Sequence, residues 1–235
     1  MTMMYPIFKQ IHSGFTVVRG DLYPGGLKCC ALKMLLRDAV VEQEIAYAGC
    51  YFGHSAYALG IAALHTGKRV TLFFPSPARE SYIFNAVKSL NNVRCIFVEA
   101  LNQDSLHTKV AEYSSEYGAF CMPVGCDFAP FRDRYTEMMR SVHAGPSEAW
   151  IAGGSGVTAR CMSAAWPFTH INVVDLNVRK NPDFGESPRI WRISEQLSEV
   201  AQLPPPWPAA TYYDAKAWQV IRTNACAGAL IWGIA

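Results

Sequence analysis

The sequence predicts an α/β protein built on parallel sheets. Three observations predict it. Short apolar stretches, among them Ile45–Gly49, Arg69–Phe74 and Val93–Val98, alternate with helical stretches, the pattern of repeated βαβ units. Two glycine-containing turns, Gly49–Ser55 and Gly153–Thr158, each lie between a strand and a helix. Proline and glycine mark the element ends, as at Gly67, Pro75 and Pro77, where they stop helix or strand. The alternation over 47–125 is compact enough to read as a small inserted α/β unit. Residues 1–46 and 126–235 then form a larger one.

Taken in order, residues 1–18 hold one or two short strands, with Val17-Val18 the clearest. Cys29 to about Arg37 is a helix with Leu32, Leu35 and Leu36 on one face, the 3.6-residue period of a buried stripe. The strand Ile45–Gly49 is followed by a helix over Ala56–Thr66, ended by Gly67. After Arg69–Phe74 come a helix over about 78–90, the strand Val93–Val98, a helix over about 105–117 and the strand Ala119–Pro123. Phe131–His143 is helical, Glu148–Ala152 a strand, and a helix begins at Ala159. Ile171–Leu176 is a strand and 180–189 a loop. Leu203-Pro-Pro-Pro-Trp-Pro208 is a stiff extended connector, since proline fixes φ. Asp214 to about Ala227 is a final helix, with Asp214 as its cap.

Composition narrows the function classes. The chain has 235 residues and a net charge of +2, with no basic run for a nucleic-acid surface and no acidic tail. Its eight cysteines include the pair Cys29-Cys30 but no CxxC, which excludes a disulfide framework or a zinc ribbon. The N-terminal segment lacks the basic-then-apolar form of a leader, and the apolar run Ala225–Ala235 is too short to span a bilayer. A cytoplasmic protein in a reducing compartment is expected, without a metal.

The most informative stretch is Arg19-Gly-Asp-Leu-Tyr-Pro-Gly-Gly-Leu-Lys28. A Pro-Gly-Gly turn leads to one lysine at the start of an amphipathic run. A lysine in the first helical turn meets the positive end of the helix dipole, which disfavours its charge, as does burial. A neutral amine is a nucleophile able to form a Schiff base. The plainer alternative is an exposed lysine that solvates the helix. Gly153, Gly154, Ser155, Gly156, Val157 and Thr158 place glycines ahead of a helix, which suits an anion such as phosphate. The alternative there is a tight βα turn. The set has no Gly-Lys-Ser/Thr of a Walker loop.

These segments resemble, in order, those of fold-type II pyridoxal-phosphate enzymes, the tryptophan synthase β family. The similarity is to the branch of D-cysteine desulfhydrase and 1-aminocyclopropane-1-carboxylate deaminase. There an acidic-Asp-Leu segment runs into Gly-Gly-x-Lys-x-Arg. Cys30 stands here where that arginine is usual. The resemblance implies an α/β fold of two lobes with the cofactor in the cleft between them. It implies pyridoxal 5'-phosphate held by Lys28, with its phosphate on Gly153–Thr158. It implies a substrate loop at Tyr51, Phe52, Gly53, His54 and Ser55, where Tyr51 and Phe52 replace small and polar residues. The aromatics are read either as facing a ring-bearing substrate or as core. Tyr212 and Tyr213, in Tyr-Tyr-Asp-Ala-Lys-Ala-Trp218, resemble the late Tyr-x-x-Lys-Ala segment, where one tyrosine lines the pocket or supplies a proton. A Ser, Thr or Glu near the C-terminus faces the ring nitrogen in the family. Here the candidates are Thr223, Asn224 or the terminal carboxylate.

The implied function is a lyase acting at the Cα of an amino-acid-type substrate. Decarboxylation, β-elimination and deamination all remain open. The short chain also resembles the reduced pyridoxal-phosphate proteins of phage DNA-modification clusters, which implies decarboxylation of an amino acid attached to thymine. The resemblance further implies a homodimer. A non-catalytic cofactor-binding protein, or an unrelated phosphosugar- or nucleotide-binding α/β protein, are the rival readings.

Overall fold

The computed structural model describes residues 7–100 and 102–234. In chain order the first elements are β1 (Lys9–His12), β2 (Phe15–Val18), α1 (Gly26–Asp38), β3 (Glu44–Ala48), α2 (Ser55–His65) and β4 (Arg69–Pro75). Next come α3 (Tyr82–Lys88), β5 (Val93–Val98), α4 (Gln103–Tyr117), β6 (Phe120–Met122), α5 (Ala129–Val142) and β7 (Glu148–Gly153). The last are α6 (Val157–Ala165), β8 (His170–Asp175), β9 (Arg189–Arg192), α7 (Asp214–Asn224) and β10 (Leu230–Trp232). They form two compact units. One takes the chain up to Leu27 and again from Arg132; the other is Lys28–Phe131.

The smaller unit is a four-stranded parallel sheet in the order β5-β4-β3-β6. Its central strands are apolar runs because both faces are covered. Ala46, Ala48 and Phe73 pack with Leu106 and Val110 of α4. Phe74 enters an aromatic cluster with Phe84 of α3 and Tyr51, at ring centroid distances of 4.9 and 5.0 Å. Helix α4 starts in a reciprocal capping box between Asn102 and Ser105 and ends at Gly118 in the left-handed region, a common helix stop. Helix α3 starts later than its apolar pattern suggests, because Ser81 caps it by accepting the Phe84 amide. Strand β3 pairs with both β4 and β6, so residues 44–48 belong to this sheet although the sequence placed the inserted unit's start at residue 47.

The larger unit is a six-stranded sheet in the order β1-β2-β10-β7-β8-β9. Only the β1–β2 pair is antiparallel. Trp150, Ala152, Val174 and Ile231 share a core with Ala217 and Ile221 of α7. Trp166 and Tyr135 pack on Trp232 at 5.9 and 6.2 Å. Two strands escaped the sequence analysis. Strand β9 begins at Arg189, the last residue of the expected loop, and its residues are largely exposed, so it carries no apolar signal. Strand β10 has three residues, fixed between β2 and β7. Its strand state comes from those partners rather than from local preference.

In each sheet the chain order reverses once. In the smaller unit it runs β3-β4-β5 to one side and returns to place β6 on the other side of β3. In the larger it runs β7-β8-β9 outward and returns to place β10 on the other side of β7. Loops leaving neighbouring strands in opposite directions open a crevice at their carboxyl ends, where α/β proteins bind ligands. No helix among the described residues is long and apolar enough to cross a membrane.

Phe74 is fully buried and touches three other rings. Phe74→Ala is expected to lower unfolding free energy by about 3–5 kcal/mol in chemical denaturation. Val41→Ala, at a position 85% exposed, is expected to change it by less than about 0.5 kcal/mol.

Candidate functional site

The lysine segment is shaped by its backbone. Arg19 clamps Asp21 with two bonds, Nε to Oδ1 at 2.7 Å and a terminal nitrogen to Oδ2 at 2.6 Å. The chain then turns through Gly25 and Gly26, both at positive φ (81° and 72°), where a side chain would be strained. Lys28 follows as the third residue of α1. Its side chain is buried, 7% exposed, so it does not solvate the helix. Nζ lies 3.4 Å from Ser55 Oγ and 3.3 Å from the Gly125 carbonyl oxygen, donating to both. Ser55 follows β3 and Gly125 follows β6. The amine therefore sits at the switch point of the smaller sheet, where the crevice rule places a ligand.

The loop between β3 and α2 divides in two. Tyr51 is 4% exposed. Its ring stacks on Phe74, and its hydroxyl donates to the Pro75 carbonyl at 2.6 Å. Tyr51 is a core residue rather than a substrate-facing one, because its hydroxyl and ring are both committed to the fold. Phe52, Gly53, His54 and Ser55 are half-buried. His54 Nε2 pairs with the Tyr82 hydroxyl at 2.9 Å. Desolvation pulls the His54 imidazole down to about 4, so the ring is neutral at pH 7. Burial pushes the neighbouring thiols up, Cys29 to about 12 and Cys126 to about 11. Both stay protonated and are poor nucleophiles, which leaves Lys28 as the nucleophile this region offers.

In the larger unit, Gly153–Thr158 lies at the other switch point, between the ends of β7 and β10. Gly153, Gly154, Gly156, Val157 and Thr158 are buried and Ser155 is half-buried. Gly156 has φ 89° and precedes α6. A methyl group there would run into the Asp183 carbonyl, so the loop must bring bare backbone up to that chain. A methyl on Gly154 would lie 2.5 Å from the Tyr213 hydroxyl. Of the two expected tyrosines, Tyr213 is thus the one laid over the glycine loop. Tyr212 is half-buried beside it in sequence. The α6 amides that open the helix lack carbonyls one turn below, and with the helix dipole they favour an anion.

Three expectations about the C-terminal region change. Asp214 does not cap α7; it is the first helical residue, and its Oδ2 accepts the Ile234 amide at 2.8 Å. Thr223 and Asn224 are exposed at the far end of α7 and bond to the Val220 carbonyl. Neither can face a buried ring. Ala235, with the terminal carboxylate, lies outside the described residues. The acidic group at the end of β10 is Asp214. Its position at the start of a helix hid it, because Asp there ordinarily reads as a cap.

Comparison with solved structures decides the architecture. The chain superposes on an ACC deaminase homologue with a TM-score of 0.73, at 12% identity, over 94% of this chain and 83% of that one. The fold is that of the fold-type II pyridoxal-phosphate enzymes. The O-acetylserine dependent cystathionine beta-synthase from Helicobacter pylori matches it over 97% of this chain and 90% of that one, with TM-score 0.62 and 12% identity. The processed form of threonine deaminase isoform 2 from Solanum lycopersicum matches over 68% of this chain with TM-score 0.54 and 15% identity. The chain spans 46% of that protein's length. No protein-family model matches the chain, and no curated protein sequence matches it. At these identities the fold persists while the sequence has diverged.

The depressed His54 value has a defined consequence. Between pH 6.5 and about 4 the unfolded chain binds a proton that the folded ring refuses, so its contribution to stability is full above 6.5 and is lost as pH falls through that window. His54→Gln is expected to remove that part of the pH dependence, seen as a flatter midpoint-against-pH curve in urea. An imidazole resonance of His54 titrating at 6.5 in the folded protein would contradict it.

Proposed function

We propose that the protein is a pyridoxal 5'-phosphate-dependent lyase acting at the Cα of an amino-acid-type substrate. The observation that carries this reading is Lys28: a buried amine in the first turn of α1, at the switch point of a parallel sheet, held by a hydroxyl and a carbonyl. The glycine loop supports it separately. Buried glycines lead into α6 there, and helix-opening amides favour an anion such as phosphate. On this reading Lys28 would hold the cofactor's aldehyde, and Gly153–Thr158 is the loop that the sequence resemblance assigns to its phosphate.

When bound, the cofactor supplies an electron sink for the negative charge left at Cα as a substituent departs. The protein's own groups do the rest. Lys28, once released, carries a proton to or from the substrate. Tyr213, laid over Gly154, and Tyr212 are the proposed further proton-transfer groups. The amides of Phe52–Ser55, at the start of α2, receive the substrate carboxylate. Asp214, bonded to the Ile234 amide just past β10, is the proposed group to face the ring nitrogen in place of Thr223 or Asn224.

The finer reading is decarboxylation of an amino acid attached to thymine in DNA. Two features support it over deamination or β-elimination of a free amino acid. Phe52, half-buried beside His54, offers an aromatic face to a base. A neutral His54 gives the carboxylate no ion pair that would hold it against departure as CO2. Deaminases among the structural neighbours support the alternative.

The test is an absorbance spectrum of the protein loaded with cofactor. A band at roughly 410–430 nm, fixed by borohydride and absent in Lys28→Ala, is expected from a lysine-bound cofactor. Turnover of aminoacylated thymidine with CO2 release is expected to fall at least about a hundredfold in Lys28→Ala. Ammonia or pyruvate from free amino acids would select the alternative reaction. A band without turnover of either class would leave a cofactor-binding protein, and a colourless protein would overturn the proposal.

A further inference from the structure

The smaller unit contains a buried tyrosine that none of the roles above uses. Tyr47 lies near the carboxyl end of β3 and is 4% exposed. A buried phenol needs partners. The Tyr47 oxygen accepts the Gly125 amide at 3.2 Å, and the Ser55 hydroxyl is a further polar group acting on it. These are the two residues whose other oxygens receive Lys28: the Ser55 hydroxyl at 3.4 Å and the Gly125 carbonyl at 3.3 Å. A chain of hydrogen bonds thus runs across the switch point, with Gly125 giving its N–H to Tyr47 and its C=O to Lys28, which also donates to Ser55.

The backbone at Gly125 explains why such a clamp is needed. Gly125 and Cys126 both take positive φ, 71° and 62°. The second is uncommon for a residue with a side chain and costs free energy that neighbouring contacts must offset. The conformation turns the Gly125 peptide so that both of its polar atoms join this chain of bonds. Burial pushes the Tyr47 phenol up, so it remains a neutral hydroxyl throughout the physiological range and acts by geometry rather than by titration.

We propose that Tyr47 is a positioning residue for Lys28: by accepting the Gly125 amide, its phenol fixes Gly125 so that its carbonyl oxygen receives the lysine amine. On the proposed function, on which this role in turnover rests, the clamp keeps Lys28 in one place each time it is free of the cofactor, ready to exchange a proton with the substrate. The clamp itself is a property of the protein without cofactor. Oxygens that receive its N–H bonds hold the amine in one place, so losing that hold leaves Lys28 freer to meet electrophiles.

The experiment is competitive labelling of the cofactor-free protein with trace acetic anhydride at one fixed alkaline pH, read lysine by lysine by mass spectrometry. Tyr47→Phe keeps the ring volume and removes the hydroxyl. Lys28 is expected to label about threefold faster or more in Tyr47→Phe, the low end of the net contribution of one ordinary hydrogen bond. Ser55→Ala is expected to do the same, and the double variant to add little to the larger single change, since both act on one network. Lys68 is the internal reference. It is buried in the same unit and donates to the Glu42 carbonyl at 2.8 Å, so general loosening of the unit would raise both lysines together. Tyr113→Phe, which removes a hydroxyl bonded to Glu44 at 2.7 Å in that unit, is expected to leave Lys28 unchanged. An unchanged Lys28 rate in Tyr47→Phe, or equal increases at Lys28 and Lys68, would overturn the proposal. A protein that takes up no cofactor yet shows the selective increase would retain the clamp and lose only the lyase reading.

Discussion

The pairing of β3 with β4 on one side and β6 on the other is the constraint on which the rest depends. Because β6 enters beside β3 in parallel, the chain must reverse its winding there. The two loops that leave these strands are then forced apart, and neither can close over the other. Ser55 and Gly125 stand at the mouths of those loops, which is why an amine between them can bond to both. Each neighbour in the clamp is set by register: Tyr47 opposes Leu72 on one side and Met122 on the other. A slip of one residue would turn Tyr47 to the opposite face.

The larger unit uses the same device with different chemistry. Strand β10 lies between β2 and β7, so the ends of β7 and β10 diverge and bare backbone is left at Gly153–Thr158. Where the smaller unit buries a nucleophile, this one buries amides and glycines. Phe184, Asp183 and Tyr213 crowd the loop so closely that side chains are excluded at three of its positions.

The electrostatics of the lysine region are those of a dry, neutral site. Tyr47, Cys50 and Cys126 are all pushed up by burial, and His54 is pulled down. Every one of these shifts favours the uncharged form. The aromatic cluster of Tyr51, Phe74 and Phe84 supplies the rigid wall behind this region. That accounts for an aromatic residue in a loop where a small one was expected.

The sequence by itself determined the alternation of strand and helix, the Pro-Gly-Gly turn that opens α1 and the glycine loop before α6. Each is a local matter of periodicity, of φ or of the missing side chain, and each is legible without neighbours. The identity of Lys28 as the distinctive amine was legible for the same reason. Tertiary structure alone decided that Lys28 is buried, that Tyr51 belongs to the core while Phe52 and His54 do not, and that Asp214 bonds to Ile234 instead of capping its helix. Strands β9 and β10 were invisible because they are short and owe their state to partners. Tyr47 and Gly125 were invisible because they lie 19 and 97 positions from the lysine they serve. No spacing rule reaches that far; only the parallel crossing of strands brings such residues to one point.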